Sequence, residues 1–122
     1  MPREPVLSEL AAIPWQPITD LWPNVPPGPE IKLLSRDDET GAVTLLLKAP
    51  PGWATPRPES HSVVQEDILL EGECVFGETR YRAPAYFCFP ANHVHPAVRT
   101  DTGFTMIVTF SGPFDVTYHA SA

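Results

Sequence analysis

From Ile31 onward the chain reads as short apolar runs rich in β-branched and aromatic residues, each cut off by turn-forming residues. The runs are Ile31 to Ser35, Ala42 to Lys48, His61 to Leu70, Cys74 to Phe76, Thr79 to Arg82, Ala85 to Phe89, His93 to Val98, Phe104 to Phe110 and Asp115 to Tyr118. Between them lie Asp37-Asp38-Glu39-Thr40-Gly41, Pro50-Pro51-Gly52, Glu71-Gly72, Pro90-Ala91-Asn92, Asp101-Thr102-Gly103 and Ser111-Gly112-Pro113, where Gly, Pro, Asn and Asp supply the dihedral angles that turns require. No long segment keeps the roughly 3.6-residue period of a helix, and no repeat is visible. The pattern predicts an all-β sandwich or barrel.

Residues 1–30 differ. Half of the sixteen prolines fall there, and they interrupt any helix longer than a turn or two. Trp15, Leu21, Trp22 and Val25 are too apolar for a free linker. The expectation is an extended Pro-rich arm over 1–30, lying on the barrel or on a partner subunit, followed by a β-barrel domain over 31–122. Residues 5–12, with Ser8 ahead of an alanine pair, are expected to form one short helix.

A chain of 122 residues fits one domain that buries roughly two-thirds of its unfolded surface without disulfides or structural metal. Eight Lys and Arg stand against fifteen Asp and Glu, a net charge of −7 that leaves no basic patch for a nucleic-acid partner. No apolar run reaches the roughly 18 residues of a membrane span, and Met1 to Leu10 lacks the pattern of a secretory signal. A cytoplasmic protein is expected. Cys74 and Cys88 lie among apolar neighbours and read as buried thiols, outside any mechanism.

Candidate chemistry starts with the four histidines, of which His93 and His95 share the hexapeptide Pro90 to His95. Residues two apart on a strand project to one face, so Glu59, His61, Val63 and Gln65 form a row in which three side chains can bind a metal. A returning strand that brings His95 opposite would converge N and O donors within apolar walls. Glu66 is a rival carboxylate only if a bulge turns it inward. His93 shares a face with His95 and is a candidate shuttle or replacement ligand, while His119 lies near the C-terminus, where fraying is the default. Thr44, Leu46, Phe87, Phe89, Met106 and Val108 are expected to point inward, as pocket wall or simply core. Arg57, Arg80, Arg82 and Arg99 read as solvated, unless one near the mouth holds an anionic substrate.

The stretch Pro51 to Glu73 resembles the first cupin motif, which reads Gly, a spacer, His-x-His, three or four residues, Glu, six residues and Gly. Laid back from Gly72, its glutamate falls on Gln65, its second histidine on His61 and its first on Glu59. Pro90 to His95 resembles the second motif, Pro-x-Gly-x-x-His, with Asn92 at the glycine and His95 at the last metal ligand. Gly52 sits one residue early, and Pro84 and Arg99 replace the outer Gly and Asn. The resemblance covers roughly residues 40–112 and is nearest the small cupins around the diketone- and hydroxyacetophenone-cleaving dioxygenases and the anti-sigma-factor-like cupins.

The resemblance implies a cupin double-stranded β-helix, or jelly roll, with a divalent metal on Glu59, His61, Gln65 and His95. A homodimer is expected because the apolar Pro-rich arm and the edge strands of an incompletely closed barrel both need covering. Two imidazoles and one carboxylate suit Fe(II) best, with Zn, Mn or Ni as alternatives. Two functions follow from it. One is a non-haem Fe(II) dioxygenase acting on a small dicarbonyl or hydroxyketone. The other is a non-catalytic small-ligand-binding or sensory module with a structural or lost metal.

Overall fold

The computed structural model describes residues 4–120. Its strands are β1 (Gln16–Pro17), β2 (Glu30–Arg36), β3 (Val43–Ala49), β4 (Glu59–Ser60), β5 (Gln65–Phe76), β6 (Thr79–Arg82), β7 (Ala85–Phe89), β8 (Val98–Arg99), β9 (Phe104–Phe110) and β10 (Thr117–Tyr118). Helix is confined to a single 3-10 turn at Leu10–Ala12 and the four-residue α1 (Ile18–Leu21), as the scattered prolines require. None of the helices in the described residues is long and apolar enough to cross a membrane.

All named pairings are antiparallel. The main sheet runs β1-β2-β3-β9-β5-β6, with β7 and β8 also pairing β5. β4 and β10 form a second, two-stranded sheet, tied to the chain at His95 by the Glu59 bridge. The register places Leu45, Val108, Asp67 and Phe87 in one inward row across β3, β9, β5 and β7. The neighbouring outward row carries Thr44, Thr109, Glu66 and Cys88, with the two threonine hydroxyls 3.2 Å apart. Alternation of side chains thus separates a cavity face from an outer face over the whole sheet.

Several expectations are corrected by this register. Thr44 and Leu46 point outward, while Leu45 and Leu47 line the interior. Cys88 is exposed and Cys74 is buried, both free. The runs His61 to Leu70 and Cys74 to Phe76 are not two strands separated by a turn at Glu71-Gly72. From Gln65 they are the single strand β5, with an irregularity between Leu69 and Glu71 that absorbs the twist. His93 to Val98 is not a strand, because Pro96 and the turn before it leave only the His95 bridge and β8 to pair.

The first described residues pack on this frame. Ile18 N donates to Pro29 O at 3.0 Å, and Trp22 stacks on Phe114 with ring centroids 4.1 Å apart. Trp15 lies under the ammonium of Lys32, which also donates to Leu10 O at 2.8 Å. At the opposite end, the buried Glu73 carboxylate accepts from Asp101 N, Thr102 N and Thr100 Oγ1 and pairs with Arg80, fixing the turn that feeds β9.

Gly72 has the least room for a side chain of the glycines in the described residues. Its φ is +80°, and a β-carbon there would overlap the Gly103 carbonyl oxygen and crowd Phe104 Cα. Replacing it by alanine adds left-handed strain to a clash between backbones, a loss on the order of 3 kcal/mol or more. Thermal denaturation of Gly72→Ala is expected to show Tm lowered by roughly 10 °C or more. An unchanged Tm would show that β5 and β9 part at this point without cost.

Candidate metal centre

Two backbone features converge the candidate ligands. Glu59 and His95 exchange both backbone hydrogen bonds, Glu59 N to His95 O at 3.1 Å and His95 N to Glu59 O at 2.9 Å. Residues directly opposite in an antiparallel pair share a face, so their side chains emerge together. Asn92 takes φ +64°, the left-handed conformation that glycine adopts most easily, and its N–H donates to His61 O at 2.7 Å. That turn ties the Pro90 to His95 segment to His61. His61 itself follows β4 in an irregular stretch rather than continuing a strand to Gln65, so the expected single row is broken between the two.

The resulting distances are short. His95 Nε2 lies 3.4 Å from His61 Nε2 and 3.7 Å from Glu59 Oε1, and His61 Nε2 lies 4.0 Å from the same oxygen. All three donor atoms fall within 4.8 Å of one another, an arrangement that can hold a metal ion. Both rings are fixed from behind. His61 Nδ1 donates to Asp115 O at 2.5 Å and His95 Nδ1 to Pro96 O at 3.1 Å. A ring nitrogen facing a carbonyl oxygen carries the proton, so in each neutral imidazole Nε2 is a bare acceptor. The close approach of the two Nε2 atoms is therefore not a hydrogen bond between them. Two lone pairs and a carboxylate oxygen face a common point, and only a cation or a proton reconciles them. Phe89 packs on the His95 ring at 4.5 Å, and Phe110 and Phe114 lie against His61 at 5.3 and 5.4 Å.

Burial governs the protonation of these groups. Glu59, largely out of water, is pushed up to about 7. Burial drives His95 down to about 4 against the opposing pull of the Pro96 carbonyl, with the neighbouring His61 and His93 adding repulsion to its charged form. Burial thus favours a neutral His95 imidazole, the state that ligates metal.

Of the other expected residues, Gln65 lines the same cavity but turns its amide to Asp67, donating to both carboxylate oxygens at 3.0 Å. Gln65 Oε1 is buried with no hydrogen-bond partner. Glu66 faces outward and accepts from Tyr86 Oη at 2.7 Å, and His93 is exposed in the turn. His119 lies on the outer side of β4, where its Nε2 is 2.8 Å from Ser60 Oγ. None of the four arginines named as anion-binding candidates lines the cavity, and Arg80 and Arg99 are engaged with Asp101.

The cavity measures about 100 Å³. Its apolar wall includes Leu45, Leu47, Met106, Val108 and Phe110 from the main sheet and Trp22, Val25 and Pro26 from the first thirty residues. Asp67, Tyr118 and Trp22 are cavity residues that the sequence reading did not select. Asp67 had a usable signal, since it stands two residues from Gln65 on the same strand parity. Tyr118 had none, because it reaches Glu59 only through the β10-β4 pairing.

Comparison with known proteins places this geometry in a family. Among solved structures, a protein from Methylibium petroleiphilum PM1 proposed to be an acetylacetone dioxygenase superposes with TM-score 0.73 at 21% identity, over 98% of this chain and 86% of that one. An acetylacetone dioxygenase from Acinetobacter johnsonii gives 0.72 at 18% identity, over 100% and 89%. A protein from Silicibacter pomeroyi DSS-3, described as a sugar phosphate isomerase of the cupin superfamily, gives 0.67 at 18%, over 93% and 81%. These likenesses establish the cupin jelly-roll fold, while their differing activities leave the reaction open. Among curated proteins none matches by sequence. The family model described as the ChrR cupin-like domain matches residues 3–115, nearly the whole chain, and the protein belongs to that family of cupins.

Proposed function

We propose that this cupin is a metal-dependent enzyme that holds one divalent ion, Fe(II) by preference, on Glu59, His61 and His95 and acts on a small dicarbonyl or hydroxyketone. The observation that carries the reading is the convergence of His61 Nε2, His95 Nε2 and Glu59 Oε1 within 4.8 Å of one another, with Nδ1 of each ring directed at a backbone carbonyl, Asp115 O and Pro96 O. Two nitrogens and one carboxylate oxygen form the ligand set of non-haem iron oxygenases, which leave further coordination positions open. When bound, such an ion supplies Lewis acidity toward a substrate carbonyl and, as iron, electrons for dioxygen.

The chain supplies the rest. Asp115 O and Pro96 O hold the ring orientations, and the surrounding phenylalanines exclude water from the donor atoms. The cavity is well below the roughly 300–1,000 Å³ of pockets for drug-sized ligands, which restricts the substrate to a few heavy atoms. Gln65 stands back from the three donors and offers its unpartnered oxygen to a bound water or substrate.

Elemental analysis after anaerobic Fe(II) loading is expected to find about one metal per chain. His61→Ala and His95→Ala should each weaken binding by roughly 100-fold or more, since even a residue behind the ligands is worth about 10–100-fold. Oxygen uptake with small diketones or hydroxyketones should depend on the same two residues. Metal without turnover would assign the protein to ligand binding or sensing instead, and no metal in the wild type would remove the reading altogether.

Metal affinity should also follow the protonation of Glu59. A carboxyl raised to about 7 is protonated below that value, so each pH unit below it costs about a factor of ten in affinity, with a plateau above. Titrations with Zn(II) between pH 5.5 and 8.5 are expected to show this single-proton slope. A flat profile would mean that Glu59 is not a ligand.

A further inference from the structure

We propose that Asp67 and Gln65 form an acceptor-only subsite that binds a hydroxyl group, so that the cavity takes a neutral hydroxyketone in preference to the matching diketone. Asp67 is 1% exposed and sits between Val108 and Phe87 in an otherwise apolar row. No Lys or Arg lines the cavity, and among the described residues the hydrogen-bond partner of its carboxylate is the Gln65 amide. An amide nitrogen has two hydrogens, and here one goes to each carboxylate oxygen. Gln65 therefore has no donor left and its Oε1 is itself buried and unpartnered, while burial pushes the Asp67 carboxyl up to about 7, so that at pH 8.5 it is ionised and each of its oxygens keeps a free lone pair.

At one end of an apolar cavity Gln65 Oε1 thus lacks a donor, and the two Asp67 oxygens have only the Gln65 amide. A ligand that brings only carbonyl oxygens leaves them unsatisfied and adds acceptors beside them, whereas a hydroxyl donates to them. A site built to hydrogen-bond a substrate hydroxyl discriminates strongly against the analogue without it. The carbonyl of the hydroxyketone is assigned to the ion, and to that extent the inference rests on the proposed function. The donor end rests on Asp67 and Gln65 alone.

The test compares 3-hydroxybutan-2-one with butane-2,3-dione, a pair matched in size, binding to Zn(II)-loaded protein at pH 8.5 by calorimetry and ligand-observed NMR. Zinc is redox-inert, so the readout is affinity and not turnover. Wild type is expected to bind the hydroxyketone at least roughly tenfold more tightly, the scale of one hydrogen bond to a charged acceptor. Asp67→Asn, which keeps the shape of the side chain and removes a buried charge, is expected to bring the two ligands within about threefold while metal stoichiometry stays at one. Equal binding of the pair by wild type, a preference that survives in Asp67→Asn, or no binding of either compound would overturn the inference. The wild-type comparison requires no variant to fold. If no metal binds yet metal-free protein still prefers the hydroxyketone through Asp67, the subsite stands and the ion falls. Metal bound with no preference gives the reverse.

Discussion

The site depends on a conflict among acceptors that the fold enforces. Two backbone carbonyls, from Asp115 and Pro96, take the Nδ1 protons of His61 and His95 and leave both Nε2 lone pairs directed at Glu59. In water such groups would drift apart or take up protons. Here the Glu59-His95 bridge, the Asn92 turn and the flanking phenylalanines prevent it. Placing several unsatisfied acceptors in an apolar cavity opposes folding, and the displaced protonation of Glu59 and His95 reflects that cost. The remainder of the barrel holds these groups in place.

β5 sets the orientation of this arrangement. Its first half is flanked by β9 and β7 and directs Gln65 and Asp67 inward; its second half pairs with β6 and β8 and anchors the Glu73 network. One irregularity between Leu69 and Glu71 joins the halves and switches the inward positions from Gln65, Asp67 and Leu69 to Cys74 and Phe76. Ile18, Trp22, Val25 and Pro26 complete the enclosure, since Trp22 stacks on Phe114, which in turn lies against His61. A segment rich in proline forms part of the wall here because aromatic packing, rather than backbone pairing alone, holds it there.

The cavity carries a second carboxylate, Asp67, that neither the ion site nor the core requires. Burial in an apolar row pushes this carboxyl up to about 7, and the Gln65 amide opposes that shift only in part. When both are ionised, the two carboxylates together would balance a divalent ion. Selectivity in a small barrel of this kind thus comes from a few polar atoms set into an apolar wall.

The sequence by itself determined the all-β class, most turn positions, and the identity of Glu59, His61 and His95 as metal-capable groups near each other. Those features are local: turn residues, β-branched runs, and a left-handed Asn92 three residues before a histidine. It did not determine which face of each strand looks inward. In Val43 to Leu47 both faces are largely apolar, so Thr44 and Leu46 looked as suitable as Leu45 and Leu47; Lys48, on the parity of Thr44 and Leu46, was the one nearby sign of the outer face. Only the tertiary structure brought Asp115 behind His61, Tyr118 beside Glu59 and Trp22 over the cavity. Those contacts join segments far apart in the chain, and their register follows from packing around the whole barrel, which no local window of sequence contains.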